Sequence, residues 1–251
     1  MLHYAELNGS VMGLPYTVLA QMLEPYDNEH PSASQIAGGM FRRCVLERLL
    51  PYYANPSILI AMLRGTLMHK GLLEVVVPSN LSVMRERRLT VHLPNYPKVI
   101  LSGQIDAYYG HSKRLEDYKT CTKIPLYIKE DHVYQLAFYC WFLRWSEYEV
   151  DSAAINYIAW DSIRQVTNAM MPDGHIDWVM KHPHLYDQEV FEDDAYCSWL
   201  ILNDGYMNGV VPSKTHCQSQ WCNWCPVKWA CDIIPSQGLT IDPQDYDQRK
   251  V

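Results

Sequence analysis

The sequence contains no apolar run long enough to cross a bilayer, and its first residues, MLHYAELNGSVMGLPYTVLAQ, carry no basic leader ahead of an apolar core. These absences predict a cytoplasmic chain with no membrane partner. An excess of positive charge is missing too. The 21 Lys and Arg against 28 Asp and Glu leave a net charge of −7, which excludes a protein that coats nucleic acid by bulk electrostatics. Three basic islands remain: Arg42, Arg43 and Arg48; Arg85, Arg87 and Arg88; and Lys113, Arg114 and Lys119. Each is read as a solvated face, as is the acid-rich stretch from Asp187 to Asp194. Without a secretory leader the eight cysteines lack an oxidising compartment, so they point to metal ligation rather than disulfides.

What is present is enough for a core. A chain of 251 residues, 48% hydrophobic and 20% charged, predicts one domain with an appended subdomain. Its organising stretch runs from Gly103 to Thr120, where SGQID closes one apolar run and RLEDYKT the next. Side chains alternate along a strand, so Asp117 and Lys119 share a face while Tyr118 and Glu116 take the other. If the two runs pair as a hairpin, Asp106 meets Asp117 and Lys119. Two carboxylates beside one ammonium are costly unless a divalent cation neutralises the acids, which predicts a metal site.

Around that stretch the periodicity changes. SASQIAGGMFRRCVLERLL predicts a helix capped by Ser32 or Ser34 and stopped before Pro51, whereas the first thirty residues read as irregular. A second helix is predicted from Pro56 to about Val76, with Gly65 one turn below His69, a candidate ligand. Alternation from Leu81 onward, broken at Pro94 to Pro97, predicts a three-stranded antiparallel meander ending near Lys119. Helical spacing returns after it, placing Gln135 and Tyr139 on one face and Leu136, Cys140 and Leu143 along an apolar stripe. DSAAINYIAWDS and RQVTNAMM read as further strands, and Phe191 to Met207 as a helix ending at Gly209.

The end of the chain holds a second cluster. Cys222, Cys225 and Cys231 are spaced C-x2-C-x5-C, and three thiols that close in a reducing compartment predict a bound metal. A fourth ligand comes either from Cys217, nearby, or from Cys44, nearly the whole chain away.

Taken in order, Cys44, His69 in GTLMHKGLLE, Asp106 in SGQID, Asp117-Tyr118-Lys119-Thr120, Gln135 and Tyr139 in YQLAFY, and the terminal cysteines resemble the RecB-like nucleases. The likeness runs from about Ser32 to Cys231 and is to the CRISPR-associated and phage-encoded branch and the AddB-type nuclease domain, which carry an iron-sulfur cluster. It implies a PD-(D/E)xK fold of the α/β class, a mixed sheet flanked by helices. It further implies one nuclease domain over 1–251, a cluster-binding subdomain formed by 32–50 with 210–232, and a polar tail at 233–251. Asp106 and Asp117 would bind Mg²⁺ or Mn²⁺, joined by His69 and the backbone carbonyl of Tyr118. Lys119 would act on the attacking water and on developing charge, with Gln135 and Tyr139 beside the metal. Cys44, Cys222, Cys225 and Cys231 would hold a [4Fe-4S] cluster.

The implied function is a metal-dependent DNA exonuclease acting on single strands or ends, alongside recombination or CRISPR-adaptation proteins. A zinc-stabilised nucleic-acid-binding or processing module is the alternative. Two features depart from the family: Val45 follows Cys44 where proline is common, and Cys217 is an additional thiol that keeps a local cluster or zinc site open. Glu74, turned away from His69 on a regular helix, and Glu116, on the far strand face, are left out of the site.

Overall fold

The computed structural model describes residues 2–3, 6–7, 10–11, 30–50, 52–53, 56–74, 82–181, 187–214, 222, 225–235 and 239–246. They fall into two compact units. One draws on residues 30–38 and 67–197, the other on 1–29, 39–66 and 198–251. The described helices are α1 (Ala33–Gly38), α2 (Phe41–Leu49), α3 (Pro56–Leu73), α4 (Glu130–Trp145), α5 (Asp177–Met180), α6 (Gln188–Asn208) and α7 (Lys228–Ile233). Among the described residues no helix is long and apolar enough to cross a membrane.

The first unit is built on a five-stranded mixed sheet in the order β1 (Val83–Leu93), β2 (Tyr96–Tyr109), β3 (Arg114–Thr120), β4 (Ser152–Ile158), β5 (Ile163–Ala169). The first three strands are antiparallel neighbours, as the alternation predicted. β4 then runs parallel to β3, and β5 returns antiparallel to β4. A parallel pair cannot be joined by a tight turn, and α4 lies in the crossover between β3 and β4. Leu101, Ile105 and Leu115 from the strands and Leu136, Phe138 and Phe142 from α4 have no exposed surface. Burying each contributes roughly 1.5 to 3 kcal/mol.

Two details of this unit position the site. β2 and β3 pair through Ala107–Glu116, Tyr108–Leu115 and Tyr109–Arg114, after which β2 continues along β1 and β3 along β4. The sheet therefore forks at Asp106 and Asp117. The second detail is Gly103, where an added Cβ would stand 2.7 Å from Phe142 Cε2 and 2.8 Å from Tyr139 Cε1. Only a residue without a side chain lets α4 approach β2 that closely.

The helix expected over 32–50 is instead two helices. Ser32 and Gln35 do start α1 with a reciprocal cap: the Ser32 N–H donates to Gln35 Oε1 at 2.9 Å and the Gln35 N–H to Ser32 Oγ at 3.3 Å. Gly39 then takes a φ of +61°, a left-handed conformation that ends the helix before Met40. The early residues are also not uniformly irregular, since Leu2–His3 pair with Tyr52–Tyr53, and Glu6–Leu7 with Ser10–Val11. Residues 12–29 lie outside those described.

The second unit has its own core of Leu46, Leu50, Val211, Val227, Ala230, Ile234 and Ile241. Within the stretch 233–251, Leu239–Thr240 pair antiparallel with Val210–Val211, and Ile241 and Tyr246 join this core. One basic island departs from its expected exposure. Arg42 is fully buried, Arg43 pairs with Glu47 one turn on at 2.6 Å, and Arg48 lies over the Tyr206 ring at 4.6 Å.

Candidate metal centre

The fork in the sheet leaves strand backbone without ladder partners, and a side chain takes one of them: Asp106 Oδ2 accepts from the Tyr118 N–H at 2.7 Å. Fixed in this way, Asp106 sits where β2 and β3 part, beside Asp117. Asp117 is 3% exposed. Its Oδ1 accepts from Lys119 Nζ at 3.2 Å, while Oδ2 lies 2.9 Å from the same ammonium without hydrogen-bonding geometry. Burial pushes the Asp117 carboxyl up to about 6, with Asp106 adding repulsion and Lys119 working against both. A buried carboxylate oxygen with no donor is the kind of atom a cation would satisfy.

Lys119 is set from behind. Its ammonium donates to Gln135 Oε1 at 2.6 Å, and Gln135 Nε2 donates to the Tyr139 hydroxyl at 2.6 Å. The i, i+4 spacing on α4 therefore does what the sequence predicted for one helical face, and it adds a contact to the lysine. Burial works to lower the Lys119 ammonium, but the charges of Asp117 and Asp106 outweigh it and hold the group above its ordinary value. His69, on α3, places Nδ1 3.5 Å from Asp106 Oδ1. That contact raises the imidazole above its ordinary value against the opposing effect of burial.

The Tyr118 side chain goes to the other face, as alternation requires. Its hydroxyl donates to Glu116 Oε2 at 3.0 Å, and Glu116 is held there by Asn156 Nδ2 at 3.2 Å and Arg114 Nε at 3.0 Å. The predicted site side chains thus form two contact groups, His69 with Asp106 and Asp117 with Lys119, Gln135 and Tyr139, and the two are related through the charges that Asp106 and His69 exert on Asp117. Among the described residues, however, no group of three or more His, Cys, Asp or Glu is gathered tightly enough to hold a metal ion unaided.

Sequence reasoning missed His132 and Tyr157. His132 Nδ1 lies 2.9 Å from the Tyr157 hydroxyl, and burial followed by the Lys119 charge pushes the imidazole down to about 4. It is therefore neutral near pH 7. Its position three residues before Gln135 on α4 was the available signal, since i and i+3 share a face.

The four cysteines assigned to the cluster belong to the second unit. Cys44 lies in α2 and Cys231 in α7, and Cys44, Cys222, Cys225 and Cys231 are all free thiols, half-buried. Cys225 and Cys231 pack against the core of that unit, and Arg43 feels the charges of both Cys225 and Cys44. Burial pushes the Cys225 thiol up to about 11, so it ionises readily only when a metal stabilises the thiolate. Arg42 Nε donates to Cys231 Sγ at 3.3 Å. Cys217, the alternative fourth ligand, lies outside the described residues.

No protein-family model matches the chain, and no curated protein matches its sequence. Among solved structures it is similar to one described as the crystal structure of SSO0001, with a TM-score of 0.54 and 16% sequence identity, over 86% of this chain and 94% of that chain. At that identity the likeness is one of fold, which here is a mixed α/β fold whose five-stranded sheet is flanked by helices.

Proposed function

We propose that the chain is a metal-dependent deoxyribonuclease of the PD-(D/E)xK type, acting as an exonuclease on single strands or ends, with a [4Fe-4S] cluster in its second unit. The observation that carries this reading is the forked sheet, which brings Asp106, Asp117 and Lys119 together and leaves Asp117 Oδ2 without a donor. Mg²⁺ or Mn²⁺, when held by Asp106 and Asp117 with His69 and the Tyr118 carbonyl as further donors, supplies a Lewis acid for a phosphoryl oxygen and acidifies water. The chain's own residues do the rest. Lys119, kept protonated by its acidic neighbours, acts as a fixed positive charge towards developing negative charge on the phosphate. Gln135 and Tyr139 hold that ammonium in one place, so little reorganisation is needed as charge develops.

The decisive assay uses end-labelled single-stranded and blunt duplex DNA with Mn²⁺, then with excess chelator. Progressive loss of nucleotides from single strands, abolished by chelation, is the expected result. Absence of cleavage on every DNA with metal present overturns the proposal.

The cluster is tested separately. Arg43 feels the charges of both Cys44 and Cys225, which places these two thiols near one side chain and supports Cys44 as the fourth ligand. Anaerobically purified protein is expected to carry about four irons per chain. Cys44→Ser should lose the iron and Cys217→Ser should keep it. Stoichiometric zinc without iron, or the reverse response of the two variants, would refute this assignment.

A further inference from the structure

Beyond Thr120 the chain enters residues 121–129, which hold two large apolar side chains in water: Leu126 is 82% exposed and Tyr127 85%. The connection between β4 and β5 and the first residue of β5 do the same, with Trp160 79% exposed and Ile163 70%. These two segments are fastened together. The Cys121 N–H donates to the Ile158 carbonyl at 2.9 Å, and Arg164 Nη1 donates to the carbonyls of Pro125 at 3.1 Å and Leu126 at 3.3 Å. A single exposed apolar residue is ordinary, but four on two joined segments mark an interaction surface.

The same loop lines a cavity of about 270 Å³. Its walls include Lys119, Lys123, Lys129, His132 and Tyr157, and no carboxylate is among them. Three lysines line one cavity of a chain with net charge −7; Lys119 is matched by Asp117, and Glu130 and Asp131 follow Lys129 directly, so it is Lys123 together with Lys129 that favours an anionic guest. The volume lies just under the roughly 300 to 1,000 Å³ of whole-ligand pockets, which suits one repeat of a polymer better than a free small molecule. Lys119 belongs both to this cavity and to the candidate metal centre, so a polyanion seated here continues into that centre. Lysine is depleted at protein–protein interfaces, which argues against a protein partner.

We infer that Tyr127 and Trp160 form a base-stacking platform for single-stranded DNA, with Lys123 and Lys129 receiving the phosphates that lead to Lys119. The inference rests on the proposed nuclease function for its direction and supplies a physical source for strand preference. Every base has a stackable face, but in a duplex those faces are already covered by neighbouring bases. Exposed aromatic rings beside phosphate-binding lysines therefore select strands whose bases are unpaired.

The test is fluorescence anisotropy with a labelled oligodeoxythymidine in chelator, where no cleavage occurs, on the full chain. Tyr127→Ala and Trp160→Ala should each raise Kd roughly tenfold, with the Phe variants close to wild type. Lys123→Ala should flatten the salt dependence, lowering the slope of log K against log salt by about 0.7. Both aromatic positions are exposed, so melting curves should not change. Equal Kd for wild type and the alanine variants, or no binding of the oligonucleotide by the wild type, overturns the platform and leaves the nuclease assay to stand alone. Alanine variants that bind DNA normally but dissociate a dimer seen in light scattering would show a protein interface, which also overturns it. Weakened binding in the variants of a protein that never cleaves DNA would uphold the platform and refute the nuclease.

Discussion

Replacing Arg42 with methionine is expected to destabilise the second unit by roughly 3 to 5 kcal/mol, because several buried acceptors lose their donor together. Arg42 has no exposed surface. Its Nη1 donates to the Pro212 carbonyl at 2.6 Å, and its Nη2 to those of Ile234 at 2.9 Å and Pro235 at 3.2 Å. With Nε on Cys231 Sγ, one planar guanidinium on α2 ties down the chain before α7 and after it. Methionine fills similar volume but offers no N–H, so the carbonyls stay dehydrated and unpaired. Lysine keeps the charge yet cannot address four acceptors in different directions from one ammonium, so Arg42→Lys should recover less than half of the loss. Limited proteolysis under native conditions reads this directly: the variant should be cut first between 210 and 246. A methionine variant as resistant and as heat-stable as wild type would show that the buried guanidinium is structurally dispensable.

Arg42 also marks where the sequence stops being legible. On a helix with Arg43 and Arg48 it reads as one charge of a solvated face, and its burial depends on carbonyls 170 and 192 positions away. No local pattern carries that information. Local patterns did carry the strands and the faces on which the candidate site's side chains lie. Period-two alternation placed Asp117 and Lys119 on one face and Tyr118 with Glu116 on the other, and both placements follow from the pleat alone. Spacing of four on α4 placed Gln135 with Tyr139, though not the contact from Gln135 to Lys119, which needs the parallel crossover to bring helix over strand. The single helix expected over 32–50 failed at Gly39, since a Gly-Gly pair reads equally as a tolerated helix interior or a left-handed stop. His132 was overlooked because a histidine on a mostly buried helix is usually a packing residue. Only its neighbours Lys119 and Tyr157 distinguish it.

Asp117→Asn and Lys119→Met are each expected to lower cleavage by about 10³-fold or more, for different reasons that a pH series separates. Asn keeps the shape of Asp117 but removes the charge that would bind metal, so excess Mn²⁺ should not rescue it. Met at 119 leaves both carboxylates, so metal still binds while charge stabilisation is lost. The pH dependence follows from the two groups held above their ordinary values. Burial lifts Asp117 to about 6, against about 3.9 for an aspartate in the unfolded chain, and Asp106 raises His69. In metal-free protein the ionised Asp117 therefore disfavours folding in full above about pH 6, and that penalty is relieved progressively as pH falls from there to about 3.9. The contribution of His69 has the same direction, being present at low pH and lost as pH rises through its raised folded value. Metal binding needs both groups deprotonated, so acid opposes it. Apparent Mn²⁺ affinity in wild type should fall as acid protonates His69, whose raised value brings it in first, and by about a further tenfold per pH unit below about 6, where Asp117 takes up its proton as well. Lys119 is the main positive charge holding Asp117 down, and removing it lets burial dominate. The acid limb of Mn²⁺ binding should consequently move to higher pH in Lys119→Met, while DNA binding in chelator weakens only slightly. An unmoved acid limb would separate Lys119 from the titration of Asp117. Wild-type cleavage in either variant would remove the pair from the chemistry altogether.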